Sequence, residues 1–586
     1  MATRILTALV VLTLVWAVAC GSAAPEPTAM PDPTATPAAD AAPAAEPTAA
    51  PVVSDTPQPT AVPQVAEPPA DVEVNPGKLT VMVGDLGDGR LDPALAAPGG
   101  GGYNLARLLG GFLISDNEKK EMIPGIANQW DLSNDGLTLI FTIREGMKFH
   151  DGSDLTAQDV HWTLDHYYGP GAEDYMVSTS TLSMVRRMES IDLSGPGKVT
   201  LNAKEFISNL ATNLSEADDW NHIMPKRTQL YDEQEALAYD RNPIGAGPMR
   251  LVSFTPAYVW NFERFDDYYY QPKNGLPEDR RVKFQSLDMF LVPEEATRVA
   301  ALRSGEADIV PASLATKQQV EAGGGRIVFS PEGLVSHVRL LACYDPQYPC
   351  HDKRVRQALT YALDKELMRD QLYGGPDVFQ IKGWDVVTPS SIGYTPGLDP
   401  LPFDPEKARQ LLADAGYPNG EGFGKLIVNT YPSTALPFVV ESAQLASDMW
   451  KRELGLDVEV RASDSVGVKK MERSGELNGQ ILWRDNETGI DGVSTNRSSY
   501  GTPDHTSRLH ERPELFEMGE QAMAETDPTK IEEALNSWYR TLREEQYELG
   551  IGYVNIPWAV SPRVLTWEPY PLAFFPSAYH TITLEP

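Results

Sequence analysis

The chain has little of what chemistry at a fixed centre usually requires. Three cysteines (Cys20, Cys343 and Cys350) and nine histidines are spread over 586 residues. There is no G-x-S-x-G turn, no H-E-x-x-H helix and no Walker loop. No two histidines stand four apart; His505 and His510, five apart in a Pro/Arg-rich stretch, read as solvated surface residues. No catalytic residue, metal site or cofactor is therefore predicted. Acidic residues are so abundant that a glycosidase-like carboxylate pair could be recognised only by its separation in space. Positive charge is also scarce: 49 Lys and Arg against 82 Asp and Glu give a formal charge of -33, which argues against a nucleic-acid partner. From Gly21 to Pro76 there is no aromatic residue, Lys or Arg, but there are fourteen prolines. Such a segment buries too little apolar surface to offset the entropy of ordering, so it predicts an extended, mobile tether over residues 20–77.

What is present begins with a targeting segment. Met1–Ala19 has Arg4, an apolar run from Ile5 to Ala17 and small residues before Cys20, the layout of a secretory signal and too short to span a membrane. Ala17-Val18-Ala19-Cys20 resembles a bacterial lipobox with Ala where Leu is usual, which predicts lipidation of Cys20. A signal peptide cut near Ala19 or Ala24 is the alternative. In an exported chain whose Cys20 is lipidated, Cys343 and Cys350 are the two cysteines left, and they are expected to bond to each other, with free thiols as the alternative. His351 alone does not complete a tetrahedral metal set with them.

From Lys78 onward the composition is globular and long enough for two or three domains. Leu79–Val83 reads as a first strand. The run Phe141–Leu164 is the most informative. Phe141, Ile143, Met147 and Phe149 alternate around Glu145-Gly146, predicting a hairpin with one buried face. His150-Asp151-Gly152 is a turn signal, and Thr156 with Asp159 predicts a capped helix carrying Val160, Leu164 and Tyr167 on one face. Further along, Gly245-Ala246-Gly247-Pro248-Met249 predicts a tight turn into a strand, and Glu294–Arg303 a helix between two strands. Asp352–Tyr373 reads as helical, with Asp364 starting a second segment. Asp404, Pro405 and Gly416 mark a helix cap, first turn and end. Leu426–Thr430 and Leu456–Val460 read as strands flanking an amphipathic helix over Thr434–Leu454.

In their order these segments resemble the family 5 solute-binding proteins of ABC transporters, the peptide, nickel and oligosaccharide receptors. The text KFHDG followed by LTAQDV, then GAGPM, ALRSGEADIV, RVRQALTYALDKELM and DPEKARQLLADAGYP stand in register with that family's landmarks. The resemblance implies an α/β, two-lobed periplasmic-binding-protein fold of the large type II kind, with an extra subdomain and an interlobe cleft. Residues 78–110, 225–335 and 555–586 would form lobe I, 111–224 the extra subdomain and 336–554 lobe II, after a signal peptide at 1–19. It further implies a monomeric, lipid-anchored extracytoplasmic receptor. That receptor would capture a peptide or similar small solute and deliver it to an ABC permease in the membrane, without chemistry of its own. An oligosaccharide is the alternative ligand, and an extracellular hydrolase the alternative class.

In peptide receptors of this family an Asp near a Trp pairs with the ligand ammonium, and Asp485 in ILWRDNETGID matches it. A buried ammonium must be paired, so the role has a physical basis. Arg484 could instead neutralise Asp485. Trp483 and Trp384 are the aromatic candidates for the cleft wall, with core packing as the other reading.

Overall fold

The computed structural model describes residues 77–585, apart from several short stretches and the longer segment 490–511. The expected signal peptide, nearly all of the tether, Cys20, His505 and His510 lie outside the described residues. Among those residues no helix is long and apolar enough to cross a membrane.

One mixed sheet of eleven strands organises the molecule. Its strands are β1 (Lys78–Val83), β2 (Met249–Thr255), β3 (Val259–Arg264), β4 (Ser286–Leu291), β5 (Ile309–Pro311) and β6 (Arg326–Leu340). They continue with β7 (Phe379–Gln380), β8 (Lys425–Thr430), β9 (Asp457–Ala462), β10 (Ile481–Glu487) and β11 (Glu548–Val560). The order is β2-β3-β4-β1-β5-β11-β6-β10-β8-β9, with β7 beside β11. Strands β6 and β11, of 15 and 13 residues, run antiparallel and belong to both ends of the sheet. At one end β11 pairs with β5, and at the other β6 pairs with β10. The molecule thus has two α/β lobes joined by a pair of crossing strands. Strand β11 is buried on both faces along most of its length, so it lacks the polar alternation of a half-exposed strand and reads as the near-continuous apolar run LGIGYVNIPWAV.

Helices follow from local chemistry. In α1 (Ala157–Tyr168), Thr156 and Asp159 exchange the reciprocal bonds of a capping box. The helix α2 (Glu295–Ser304) carries the chain from β4 to β5. Asp352 caps α3 (Lys353–Tyr361), and Asp404 with Pro405 opens α4 (Pro405–Asp414). The crossover between the parallel strands β8 and β9 is α5 (Val439–Leu454), and α6 (Ser465–Ser474) links β9 to β10. A separate four-stranded sheet is built from Ala127–Leu132, Thr138–Ile143, Lys198–Ala203 and Met188–Gly195. Cys343 and Cys350 are joined by a disulfide with their Cα atoms 5.1 Å apart, tying the exit of β6 to the start of α3.

Two local expectations are corrected. Phe141, Ile143, Met147 and Phe149 are all buried, but they do not form one hairpin. Thr138–Ile143 pairs with Ala127–Leu132 and Lys198–Ala203, whereas Met147-Lys148 pairs with Asp154-Leu155. The Ile143 N–H is already taken by Gly197 and the Arg144 N–H by Ile126, so the chain leaves that sheet before Gly146. The helix expected from Thr434 begins instead at Val439, because Pro437 cannot continue a helical ladder and Phe438 sits at φ 63°.

The landmarks KFHDG and GAGPM meet in space. His150 Nδ1 accepts the Gly245 N–H at 3.2 Å, while its Nε2 lies 3.1 Å from the Gly247 carbonyl. A Cβ on Gly245 would lie 1.9 Å from the Leu109 carbonyl oxygen, so only glycine lets the turn dock there. Burial lowers the His150 pKa to about 4, keeping the ring neutral with its proton on Nε2.

Candidate functional site

Strand β10 lies between β6, antiparallel to it, and β8, parallel to it. Asp485 stands near its carboxyl end, opposite Ser336, and Tyr431 and Ser433 stand just past the carboxyl end of β8. The carboxyl ends of parallel strands are where open α/β sheets commonly present their ligand groups. Tyr431 donates its phenol O–H to Asp485 Oδ1 at 2.8 Å, and Ser433 donates its hydroxyl to Oδ2. Burial pushes the Tyr431 phenol up, so at neutral pH it remains a donor.

The neighbouring cations make no direct bond to the carboxylate oxygens. Arg484 donates from Nε to the Asp485 backbone carbonyl at 3.0 Å, and its guanidinium lies 4.0 Å from Glu472. Glu472 also pairs with Arg339 at 3.2 Å. Arg339 is 3.5 Å from Glu548, which holds His337 Nε2 at 2.9 Å. Lys469, over the Tyr431 ring at 5.9 Å, has its pKa lowered by burial and then by Arg484, against the opposing pull of Asp485 and Glu472. Among the described residues no basic nitrogen forms an ion pair with the Asp485 carboxylate. Among the described residues the carboxylate oxygens are bonded by two hydroxyls and by no basic side chain. That arrangement can receive a cation.

Of the two readings left open for the tryptophans, cleft wall or core, both residues take the buried one. Trp483 is fully buried, donates its indole N–H to Ser336 Oγ at 3.0 Å and packs near Trp450 with ring centroids 6.4 Å apart. Its strand position points the ring at the layer formed by α5, so it is core. Trp384 is also buried, pinned by reciprocal backbone bonds with Val387. Neither indole forms a cleft wall in this structure. Tyr431 and Ser433 are the residues the sequence pattern missed; the signal available was their place immediately after a strand in a parallel pair. Among the described residues no group of three or more His, Cys, Asp and Glu could hold a metal ion.

Two lobes around crossing strands, with a carboxylate at the strand ends of one lobe, define the class of periplasmic-type binding proteins. The chain belongs to the bacterial extracellular solute-binding proteins, family 5, whose model matches residues 121–504. It is 27% identical over 380 residues to the glutathione-binding protein GsiB of Pectobacterium atrosepticum, covering 64% of this chain and 66% of that protein. It is 27% identical over 315 residues to heme-binding protein A of Haemophilus influenzae, covering 51% of this chain and 54% of that one. These matches therefore span about half to two thirds of the relatives' length. The ABC transporter substrate-binding protein CtaP of Listeria monocytogenes superposes with a TM-score of 0.71 at 20% identity, covering 87% of this chain and 99% of that one.

Proposed function

We propose that the protein is an extracytoplasmic receptor that captures a peptide or another amine-bearing solute between its lobes and hands it to an ABC permease. Family membership supports the capture step. The relative that binds glutathione, a peptide-like solute with a free ammonium, supports the ligand class. The observation that carries the reading is Asp485, a carboxylate held by Tyr431 and Ser433 with no cation paired to it among the described residues. An ammonium reaching it would find a charge already oriented by two hydroxyls, and such charge-assisted bonds are the strong ones. The oligosaccharide alternative drew on Trp384 and Trp483, and both are core residues here. The proposed layout keeps lobe I at 78–110, 225–335 and 555–586, the extra subdomain at 111–224 and lobe II at 336–554. A lipid at Cys20 would anchor the body through the 20–77 tether. The protein would act as a monomer and turn nothing over.

The test is calorimetry of the purified chain with short peptides, with the same peptides acetylated at the amino terminus, and with oligosaccharides. We expect stoichiometric peptide binding that Asp485→Asn weakens roughly tenfold to a hundredfold, the size of one buried charge-assisted contact. Unchanged affinity in Asp485→Asn, or equal affinity for acetylated peptides, removes Asp485 as the ammonium partner. Binding of sugars alone, or steady product release, overturns the reading altogether.

A further inference from the structure

We propose that Glu332 is the pivot and catch of the hinge, the residue at which β6 passes from one lobe to the other. The pairing of β6 with β11 is interrupted between Ser330 and Leu334, so Pro331, Glu332 and Gly333 stand outside the regular ladder. On one side of this break, the Pro331 carbonyl accepts from the Leu572 N–H at 2.9 Å. Leu572 belongs to the tail after β11, which Arg563 fastens to Asp308, just ahead of β5 in the first lobe. On the other side, the Glu332 carbonyl accepts from the Thr488 hydroxyl, and its Oε2 accepts from the Ser390 N–H at 2.9 Å. Thr488 follows β10, and Ser391 and Val386 are both bonded to Gly489. Ser390 and Thr488 therefore move with the second lobe. The chain changes allegiance between the Pro331 carbonyl and the Glu332 carbonyl.

Three features suit that position to rotation. The proline ring fixes φ of Pro331, so a change of direction falls on ψ of Pro331 and on the torsions of Glu332. Glu332 sits at φ 57°, a left-handed conformation that a β-carbon disfavours and that recurs at switch positions. A Cβ on Gly333 would lie 2.5 Å from Ile556, so glycine is what lets the two crossing strands approach there. Glu332 is nevertheless buried, and its N–H is held by Asn555 Oδ1 at 3.0 Å. The strained torsion is thus held by bonds of which the carboxylate contact to Ser390 is the one that a change of the Glu332 side chain itself removes. Breaking it frees the second lobe to turn about Glu332. Hinges commonly confine their motion to such a few torsions.

The inference takes from the proposed function only that the lobes move against each other, and its test needs no solute. In the full chain carrying Cys20→Ser, spin labels at Lys283→Cys and Glu421→Cys, exposed positions ahead of β4 and β8, report the distance between lobes by electron–electron resonance. Glu332→Ala keeps the left-handed strain and loses the catch; we expect the population outside the main wild-type distance to rise about tenfold, the effect of one hydrogen bond to a charged acceptor. Glu332→Gln, which keeps an acceptor, should shift it far less. Glu332→Gly, which tolerates the conformation, covers the case in which the alanine variant fails to fold, and should broaden the distribution as well. Hydrogen exchange at the Ser390 amide should rise in the Ala and Gly variants, but not in Gln. A Glu332→Ala distribution that superposes on wild type, or an equal shift for Glu332→Gln, overturns the proposal.

Discussion

Acidification should expose the role of His150 in holding the Gly245 turn. The ring is neutral in the fold because burial lowers its pKa from 6.5 to about 4, and because Nδ1 must stay unprotonated to accept the Gly245 N–H. The unfolded chain takes up a proton near pH 6.5 and the folded chain does not until about pH 4. Between those values the unfolded state binds more protons, so stability falls as pH falls, and the loss levels off below the folded pKa. At about 1.4 kcal/mol per pH unit, the gap from 6.5 to about 4 corresponds to about 3 kcal/mol. The measurement is urea unfolding of wild type and His150→Asn from about pH 7.5 to about pH 4, followed by tryptophan fluorescence. Groups titrating in both proteins cancel in the difference. Wild type should be the more stable at neutral pH, and its advantage should shrink by about 3 kcal/mol across the window. A difference that stays constant with pH would show that His150 is protonated in the fold, or that the turn does not depend on it.

Breaking the disulfide by Cys343→Ser with Cys350→Ser should cost about 2.5 kcal/mol of stability, the loop-closure term for a link between residues seven apart, read from the urea midpoint. An unchanged midpoint would mean that α3 and the exit of β6 hold the loop without it. Cys20→Ala should release the protein into the medium, and mass spectrometry of the native form should find a chain beginning at a lipidated Cys20. A soluble mature chain beginning elsewhere rules the anchor out.

Elements defined by their own residues were legible from the sequence. The Thr156–Asp159 box, the Asp404-Pro405 start and the Asp352 cap each need only a few neighbours in the chain, and each is found where its pattern puts it. Pairing partners were not legible in the same way. The alternation of Phe141, Ile143, Met147 and Phe149 shows that they are buried, but the strand that completes the first pair of them lies more than fifty residues away at Lys198–Ala203. Trp483 shows the same limit at the site. Its type suits a cleft as well as a core, and only the position of α5 over β10 separates the two. Glu332 left no sequence signal, because its left-handed torsion is imposed by contacts with Ser390, Thr488 and Asn555.

The pair Arg484-Asp485 shows why adjacency in a strand misleads about charge. Written side by side, the two invite an ion pair, which would leave Asp485 neutralised and unable to receive a ligand. Successive residues of a strand point to opposite sides, however, so their charged ends are separated by the backbone itself. Arg484 accordingly turns to Glu472, which is linked through Arg339 and Glu548 to His337 in a buried run of ion pairs. Removing one partner from such a set leaves the rest uncompensated, so Arg484 is not readily drawn away toward Asp485. Among the described residues the carboxylate is bonded by Tyr431 and Ser433, with Lys469 within electrostatic reach. Under the proposed function, an ammonium arriving from solution would meet a carboxylate already oriented by these two hydroxyls.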